Sequence, residues 1–408
     1  MNGILITILT ISCLSFCLEQ YLNYRNVKCM SQEIPKEVSD IYDQKQYDNQ
    51  QKYLITNTKF DFFQSLLILV LSLVLFGFCI YGEVYNYFFE LTNNIFISDV
   101  LCLCVFELIN TIITTLFNIY DTFVIENRFG FNKTTPKLFI KDTLISWCLS
   151  TILTIGIFSV IYWLYIQFGV WLILTAFVFT SLFSFIMAFF YSDIIVPLFN
   201  KQTLLEDGEL KDMINEFAKK VGFDISNIYV IDSSKRTTKP NAYFTGFGKK
   251  KRIVLNDTLI ETLNNDEIVA VIAHEIGHYK NKHILKSYIS GSIITLLEFS
   301  LLTLILTYMN IGDVMGNSHF SLFITMLIFT VLEQPLSEGL HFISSHFTRK
   351  HEYDADNFAK DNGYGDYLIS ALKKLSKESL SNLTPDKWFV KFNYSHPTIV
   401  DRIRNIQK

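Results

Sequence analysis

Residues 264 to 278 read Asn264-Asn265-Asp266-Glu267-Ile268-Val269-Ala270-Val271-Ile272-Ala273-His274-Glu275-Ile276-Gly277-His278. An Asn/Asp cap ahead of an apolar run predicts a helix starting at Asn265 or Asp266. That helix carries an H-E-x-x-H pattern. Histidines at i and i+4 project from one helical face, so His274 and His278 can hold one zinc ion, with Glu275 between them as general base. The five residues alone also occur as two surface histidines on an ordinary helix, and a zinc site of this type needs a third protein ligand from elsewhere in the chain.

Reading downstream supplies that ligand. Apolar runs at about 288 to 308 and 319 to 345 are each long enough to cross a bilayer, which takes about 20 residues. Such a hairpin returns the chain to the side it left. Just beyond it lies His351-Glu352-Tyr353-Asp354-Ala355-Asp356, which reads as helix. Glu352 is the candidate third ligand, and Asp356, one turn on, is spaced to orient a ligand histidine. His341, His346 and His351 compete for the ligand role on residue type. His351 points about 100° from Glu352 on a helix, and all three are expected to be lining or structural residues. His283 reads as interfacial. Further on, Tyr394-Ser395-His396-Pro397 and then Arg402 offer a hydrogen-bond donor and a cation of the kind that stabilise an oxyanion.

Reading upstream, apolar runs at about 4 to 18, 60 to 81, 95 to 119, 144 to 166 and 170 to 195 bring the candidate spans to seven. The first is short, but no Lys or Arg precedes it and no clear cleavage site follows, so it reads as a retained helix. The composition agrees: of 408 residues 50% are hydrophobic and only 18% charged, where soluble domains carry about 25%. A net charge of -4 gives no basic excess, which argues against nucleic acid. Seven spans divide the basic residues cleanly. Segments 19 to 59, 120 to 143, 196 to 287 and 346 to 408 hold 6, 4, 14 and 11 of the 35 Lys and Arg, and the alternate segments hold none. By the positive-inside rule the N-terminus faces the lumen and the C-terminus the cytosol. Sequons beginning at Asn132, Asn256, Asn382 and Asn393 then all face the cytosol and should carry no glycan. All seven cysteines lie in the first 148 residues, six of them in apolar runs, with no disulfide framework and no CxxC pair.

The predicted division is therefore 1–195, the first five membrane helices and their loops; 196–287, a segment carrying the metal motif; 288–345, a transmembrane hairpin; and 346–408, a segment bringing the third ligand. Within the second, Glu206 to Val221 reads as an amphipathic helix, and Asn227 to Ile231 and Arg252 to Leu255 as strands, the latter after a turn near Gly246 and Gly248. Segment 31 to 59 reads as a polar loop. Asp99, Glu107, Glu298, Glu333 and Glu338 lie inside spans, where each would cost about 2.5 kcal/mol or more facing lipid. They are expected to face water or one another, the alternative being hydrogen bonds between packed helices. Pro335 should break the seventh helix.

These residues resemble the zinc-dependent CAAX prenyl proteases. Similar stretches are Tyr120 to Asn132, Pro197-Leu198-Phe199-Asn200-Lys201, Lys235-Arg236 through Asn241-Ala242-Tyr243-Phe244-Thr245-Gly246-Phe247, Lys251 to Leu255, Ala273 to His278, Glu352 to Ala359 and Asn393 to Arg402. The resemblance implies a mainly α, seven-helix membrane barrel around a water-filled chamber, closed on the cytosolic side by a zincin-like metalloprotease domain with a small β element. It implies one Zn2+ per chain, held by His274, His278 and Glu352, with Glu275 activating water and Asp356 supporting the ligands. His396 and Arg402 would assist near the scissile carbonyl, and Asn241, Ala242 and Tyr243 would bind substrate as an added strand. The implied substrates are prenylated CAAX proteins or peptides, cleaved at the endoplasmic reticulum or inner nuclear membrane, in contact with membrane lipid. HtpX-like quality-control proteases share the zinc motif but are shorter, and a transporter-like protein with a structural zinc is the non-enzymatic alternative. Three features depart from the family: Thr237-Thr238-Lys239-Pro240 ahead of Asn241, segment 31 to 59, which does not align with it, and the absence of a dilysine signal in Asn405-Ile406-Gln407-Lys408. Oligomeric state is not indicated.

Overall fold

The computed structural model describes residues 3–30, 34, 36–225, 227–245, 252–309, 314–317 and 319–408. The turn expected near Gly246 and Gly248 lies outside them. The first half is a succession of long apolar helices: α1 (Gly3–Lys28), α2 (Gln44–Gly77), α3 (Ile80–Thr92), α4 (Ile95–Tyr120), α5 (Pro136–Phe168) and α6 (Leu172–Phe190), followed by the short α7 (Val196–Phe199). The second half folds as β1 (Gln202–Leu204), α8 (Glu209–Lys220), β2 (Asn227–Ile231), β3 (Ala242–Thr245), β4 (Arg252–Asn256), α9 (Asp257–Thr262) and α10 (Asn265–Lys280). After α11 (His283–Tyr308) come α12 (Leu322–Leu332), α13 (Gln334–Ala359), α14 (Gly365–Glu378), α15 (Lys387–Asn393) and α16 (Ile399–Gln407).

Among the described residues five helical stretches are long and apolar enough to cross a membrane: Gly3–Lys28, Gln44–Gly77, Ile95–Glu126, Pro136–Phe199 and His283–Tyr308. Pro136–Phe199 contains two of the expected spans. Gly169, at a φ of +51°, ends α5 ahead of α6, a conformation that glycine adopts without a Cβ penalty. The run expected at 319 to 345 is interrupted. α12 has only 11 residues, ends at Leu332, and gives way to α13 with proline in its first turn, where a missing N–H costs least.

The apparent loop at 31 to 59 is corrected in its second half. α2 starts at Gln44, where Asp43 and Gln46 form a reciprocal capping box, so the helix begins well ahead of its apolar part. α3 was also unforeseen. It packs so closely on the 314–317 segment that a Cβ at Gly82 would fall 1.8 Å from the Met315 carbonyl oxygen. Asp99 is fully buried and faces no water: it accepts from Ser321 Oγ at 2.5 Å and from Leu322 N at 3.1 Å, at the start of α12. For this residue the hydrogen bond between packed helices is the arrangement found. Glu107 likewise accepts from Ser150 Oγ at 3.1 Å.

The four strands form one sheet in the order β1-β2-β4-β3, with β2 and β4 parallel and the other pairs antiparallel. β3 is an edge. The strands expected at 227–231 and 252–255 are present. α8, the sheet, α10 and α14 share a core in which Ile214, Ile253, Leu255, Ile268, Ile272 and Ile276 are essentially inaccessible. The α10 apolar run thus faces protein, which leaves the motif histidines on its opposite side.

Candidate metal centre

α10 is pinned at both ends of its metal-facing half. At its start, Asn264 accepts from Glu267 N and Glu267 accepts from Asn264 N, each at 2.9 Å. Glu267 also accepts from Ser370 Oγ at 2.6 Å and Lys374 Nζ at 2.7 Å, tying α10 to α14. Burial raises the Glu267 carboxyl, but these donors outweigh it and hold the group below the ordinary carboxylate range. At the motif itself, Gly277 lets α13 come close: a Cβ there would stand 3.0 Å from both Ala355 Cα and Phe358 Cβ. That approach delivers Glu352.

His274, His278 and Glu352 present donor atoms that all lie within 4.8 Å of one another. The two Nε2 atoms are 3.1 Å apart, and they stand 3.5 and 3.3 Å from the Glu352 oxygens. A tetrahedral zinc with nitrogen and oxygen ligands at about 2.0–2.1 Å has ligand edges of about 3.3–3.4 Å. The spacing fits. The donor chemistry fits as well, because Asp356 Oδ1 is 2.9 Å from His274 Nδ1, which places the imidazole proton on Nδ1 and leaves a lone pair on Nε2. Among the described residues, Glu352 Oε2 is buried without a hydrogen-bond donor. Lone pairs converging at this distance call for a cation between them.

The charges agree. Burial and the Arg402 cation push His274 down, yet hydrogen bonds to Asp356 and Glu352 outweigh both and raise it to about 9. Burial raises Glu352, and the two histidines beside it bring it far below the carboxylate range. Asp356 is fully buried; burial raises its carboxyl, but His274 and Arg402 hold it low.

Arg402 engages Asp356 with two nitrogens, Nε at 2.9 Å and Nη2 at 2.6 Å, and its Nη1 is 3.7 Å from Glu352 Oε2. Its side chain is only 11% exposed, which places it behind the ligands. His396 stands on the accessible side. Its Nε2 is 3.5 Å from Glu352 Oε1, its side chain is 61% exposed, and Ser395 Oγ lies 2.8 Å from its Nδ1.

His283, read from the sequence as interfacial, is buried, with its Nδ1 3.1 Å from His278 Nδ1. It stacks on His351 at 4.0 Å between centroids, and its Nε2 is 3.7 Å from Asp354 Oδ2. Each motif histidine therefore has a partner on its far nitrogen. The signal was a histidine five residues after the motif, which only the turn at Lys282, with a φ of +56°, folds back onto His278. Among the described residues His341, His346 and His351 contribute to no metal-ligand group.

Asn241, Ala242 and Tyr243 sit at the sheet edge, and Phe244 packs on Tyr279, one residue past His278. Asn241 O accepts from Asn256 N at 3.0 Å. Antiparallel alternation then turns the main chain of Tyr243 toward β4 and that of Ala242 and Phe244 toward the open edge. The Asn241 side chain accepts from Ala242 N at 3.0 Å. The unforeseen partners of Lys239, in the stretch that departs from the family, are Glu126 at 2.8 Å and Tyr53 at 3.0 Å. They tie the approach to β3 to α2 and to the turn after α4.

Known proteins show the same arrangement of sequence. A family model for the N-terminal region of CAAX prenyl proteases, with five membrane helices, matches residues 23–201, and one for peptidase family M48 matches 204–408. CAAX prenyl protease 1 of Saccharomyces cerevisiae is 32% identical, over 95% of this chain and 92% of its own length. The human CAAX prenyl protease 1 homolog is 29% identical, over 94% and 90%. The crystal structure of S. mikatae Ste24p superposes with a TM-score of 0.95 at 31% identity and covers all of both chains. Placed beside a buried His-His-Glu group, these likenesses show that the chain belongs to the CAAX prenyl proteases of peptidase family M48, a family of membrane metalloendopeptidases.

Proposed function

We propose that this metalloendopeptidase uses one zinc ion to remove the C-terminal tripeptide from farnesylated or geranylgeranylated CAAX proteins. The observation that carries the zinc reading is the mutual spacing of His274, His278 and Glu352, 3.1 to 3.5 Å between donor atoms. When bound, zinc would polarise the scissile carbonyl and lower the pKa of a water. Glu275 takes the proton of the attacking water and passes it to the departing amine nitrogen as the C–N bond breaks and a C–O bond forms. His396, held by Ser395, donates to the carbonyl oxygen as charge develops there. Arg402 acts at one remove, by fixing Asp356 and through it His274. The outward-facing main chain of Ala242 and Phe244 pairs with the substrate backbone as an added strand.

The proposed setting is a seven-span protein of the endoplasmic reticulum membrane, with 196–287 and 346–408 in the cytosol and a chamber between the helices. A cleft in which Glu19, Gln334, Glu338 and His341 stand among Phe16, Leu22, Ile68 and Phe392 supports a chamber of mixed polar and apolar lining. The decisive experiment compares a farnesylated CAAX peptide with its unprenylated twin, using detergent-purified chain, chelator and zinc add-back. Zinc-dependent cleavage of the farnesylated peptide alone is expected. Equal cleavage of both peptides would make it a protease indifferent to the lipid.

A further inference from the structure

α13 carries more than the metal ligands. Glu352 and Asp356 reach the metal group, and nearer the start of the helix Arg349 and Lys350 line a second cavity, of about 670 Å³, completed by α15 and the start of α16. Lys387, Lys391 and Arg404 add three more cations, and among the described residues Asp401 is the only acidic one in the lining. Among the described residues, none of Arg349, Lys350, Lys387 and Lys391 makes an ion pair. Arg349 is fixed by donating to the carbonyls of Val390, Lys391 and Tyr394 at 3.3, 3.4 and 2.7 Å, which leaves its charge uncompensated. Cations gathered around one concavity repel one another unless an anion enters.

The neighbours of the lining residues point to the source of that anion. Phe347, next to His346 of the lining, and Ile343, one turn before it on α13, are 57% and 54% exposed, and Trp388, next to Lys387 on α15, is 46% exposed with Lys391 Nζ 4.5 Å from its ring centroid. Exposed aromatic and aliphatic side chains beside lysines mark a membrane–water boundary. A soluble anion has no use for such neighbours. The volume is within the range of about 300–1,000 Å³ typical of ligand pockets.

We propose that this cavity binds the headgroup of a membrane phospholipid carrying a phosphomonoester, its acyl chains directed toward the exposed Ile343 and Phe347. The proposal rests on the seven-span membrane setting proposed above and not on the metal chemistry. The full chain in detergent would be titrated with short-chain monophosphorylated phosphatidylinositol, phosphatidylserine and phosphatidylcholine, and with soluble inositol trisphosphate. Binding strongest to the phosphorylated lipid is expected. The combined Lys350→Gln, Lys387→Gln, Lys391→Gln variant should bind it about a hundredfold more weakly, at about 1 kcal/mol per cation. Asp401→Asn should bind about fivefold more tightly on the same scale, and zinc content should stay at the wild-type level in both. Equal binding of phosphatidylcholine, or full affinity in the triple variant, overturns the site. Soluble inositol trisphosphate binding as tightly as the lipid overturns the membrane source. Should the triple variant not fold, unchanged affinity in Asp401→Asn overturns the proposal by itself.

Discussion

Asp356 Oδ1 lies 2.9 Å from His274 Nδ1, and the same carboxylate is clamped by Arg402. The proton this holds on Nδ1 is what frees Nε2 for metal. Asp356→Asn should lower zinc affinity about 10–100-fold, the usual cost of losing such a partner. Zinc retention against a graded chelator measures it. Wild-type retention would reduce Asp356 to a counter-ion for Arg402.

His283 backs the second histidine as Asp356 backs the first. Replacing His283 by Ala leaves His278 Nδ1 without its partner, and zinc affinity should again fall, by about tenfold or more. If only thermal stability changed, the contact would be packing alone.

Glu275→Gln should keep the metal and lose turnover by about 10²–10⁴-fold, the range of general acid–base contributions. Zinc stoichiometry and single-turnover cleavage, measured on one preparation, separate the two effects. Turnover at the wild-type rate would remove Glu275 from the mechanism.

Gly277→Ala puts a methyl group 3.0 Å from Ala355 Cα and Phe358 Cβ. Backbone cannot yield as a flexible side chain would, so α10 and α13 must separate, at about 1–3 kcal/mol. A lower melting temperature together with weaker zinc retention is expected, since the same contact positions Glu352.

Glu267 gives a pH test whose sign is fixed. Its carboxyl sits below the ordinary range when folded, chiefly because Lys374 and Ser370 outweigh burial. Its contribution is therefore present above the unfolded pKa and is lost as pH falls through the folded one. Glu267→Gln should be less stable than wild type near neutral pH by about 1–2 kcal/mol, and the gap should close on acidification below about pH 4. A gap that stays constant would show that charge is not involved.

The sequence carried the metal group further than the membrane fold. His274 and His278 follow from helical spacing, and Glu352 with Asp356 from spacing plus a hairpin that returns the chain, and the structure brings all four together. Residue type alone nominated Arg402 and His396, and could not tell that one lies behind the ligands and the other in front. His283 was missed because its position depends on a single left-handed residue, Lys282. α3 and the first turns of α2 escaped because neither has a long apolar run to announce it. β1 spans three residues, too short for alternation to register. Pro335 did mark the break after α12, yet whether the two halves together make one crossing depends on tilt and packing that hydropathy does not encode.

α13 runs without interruption from Gln334, beside that break, through Glu352 to Ala359. At 1.5 Å per residue, about 27 Å of stiff rod separates its first residue from the metal ligand. A ligand mounted on such a shaft cannot be excised with a soluble fragment: any piece that keeps Glu352 in register must keep the hydrophobic hairpin as well. Inhibitor screens and structural work on this enzyme therefore need the whole chain in a bilayer mimic, and the thickness of that mimic becomes a variable to control, on a par with pH or salt.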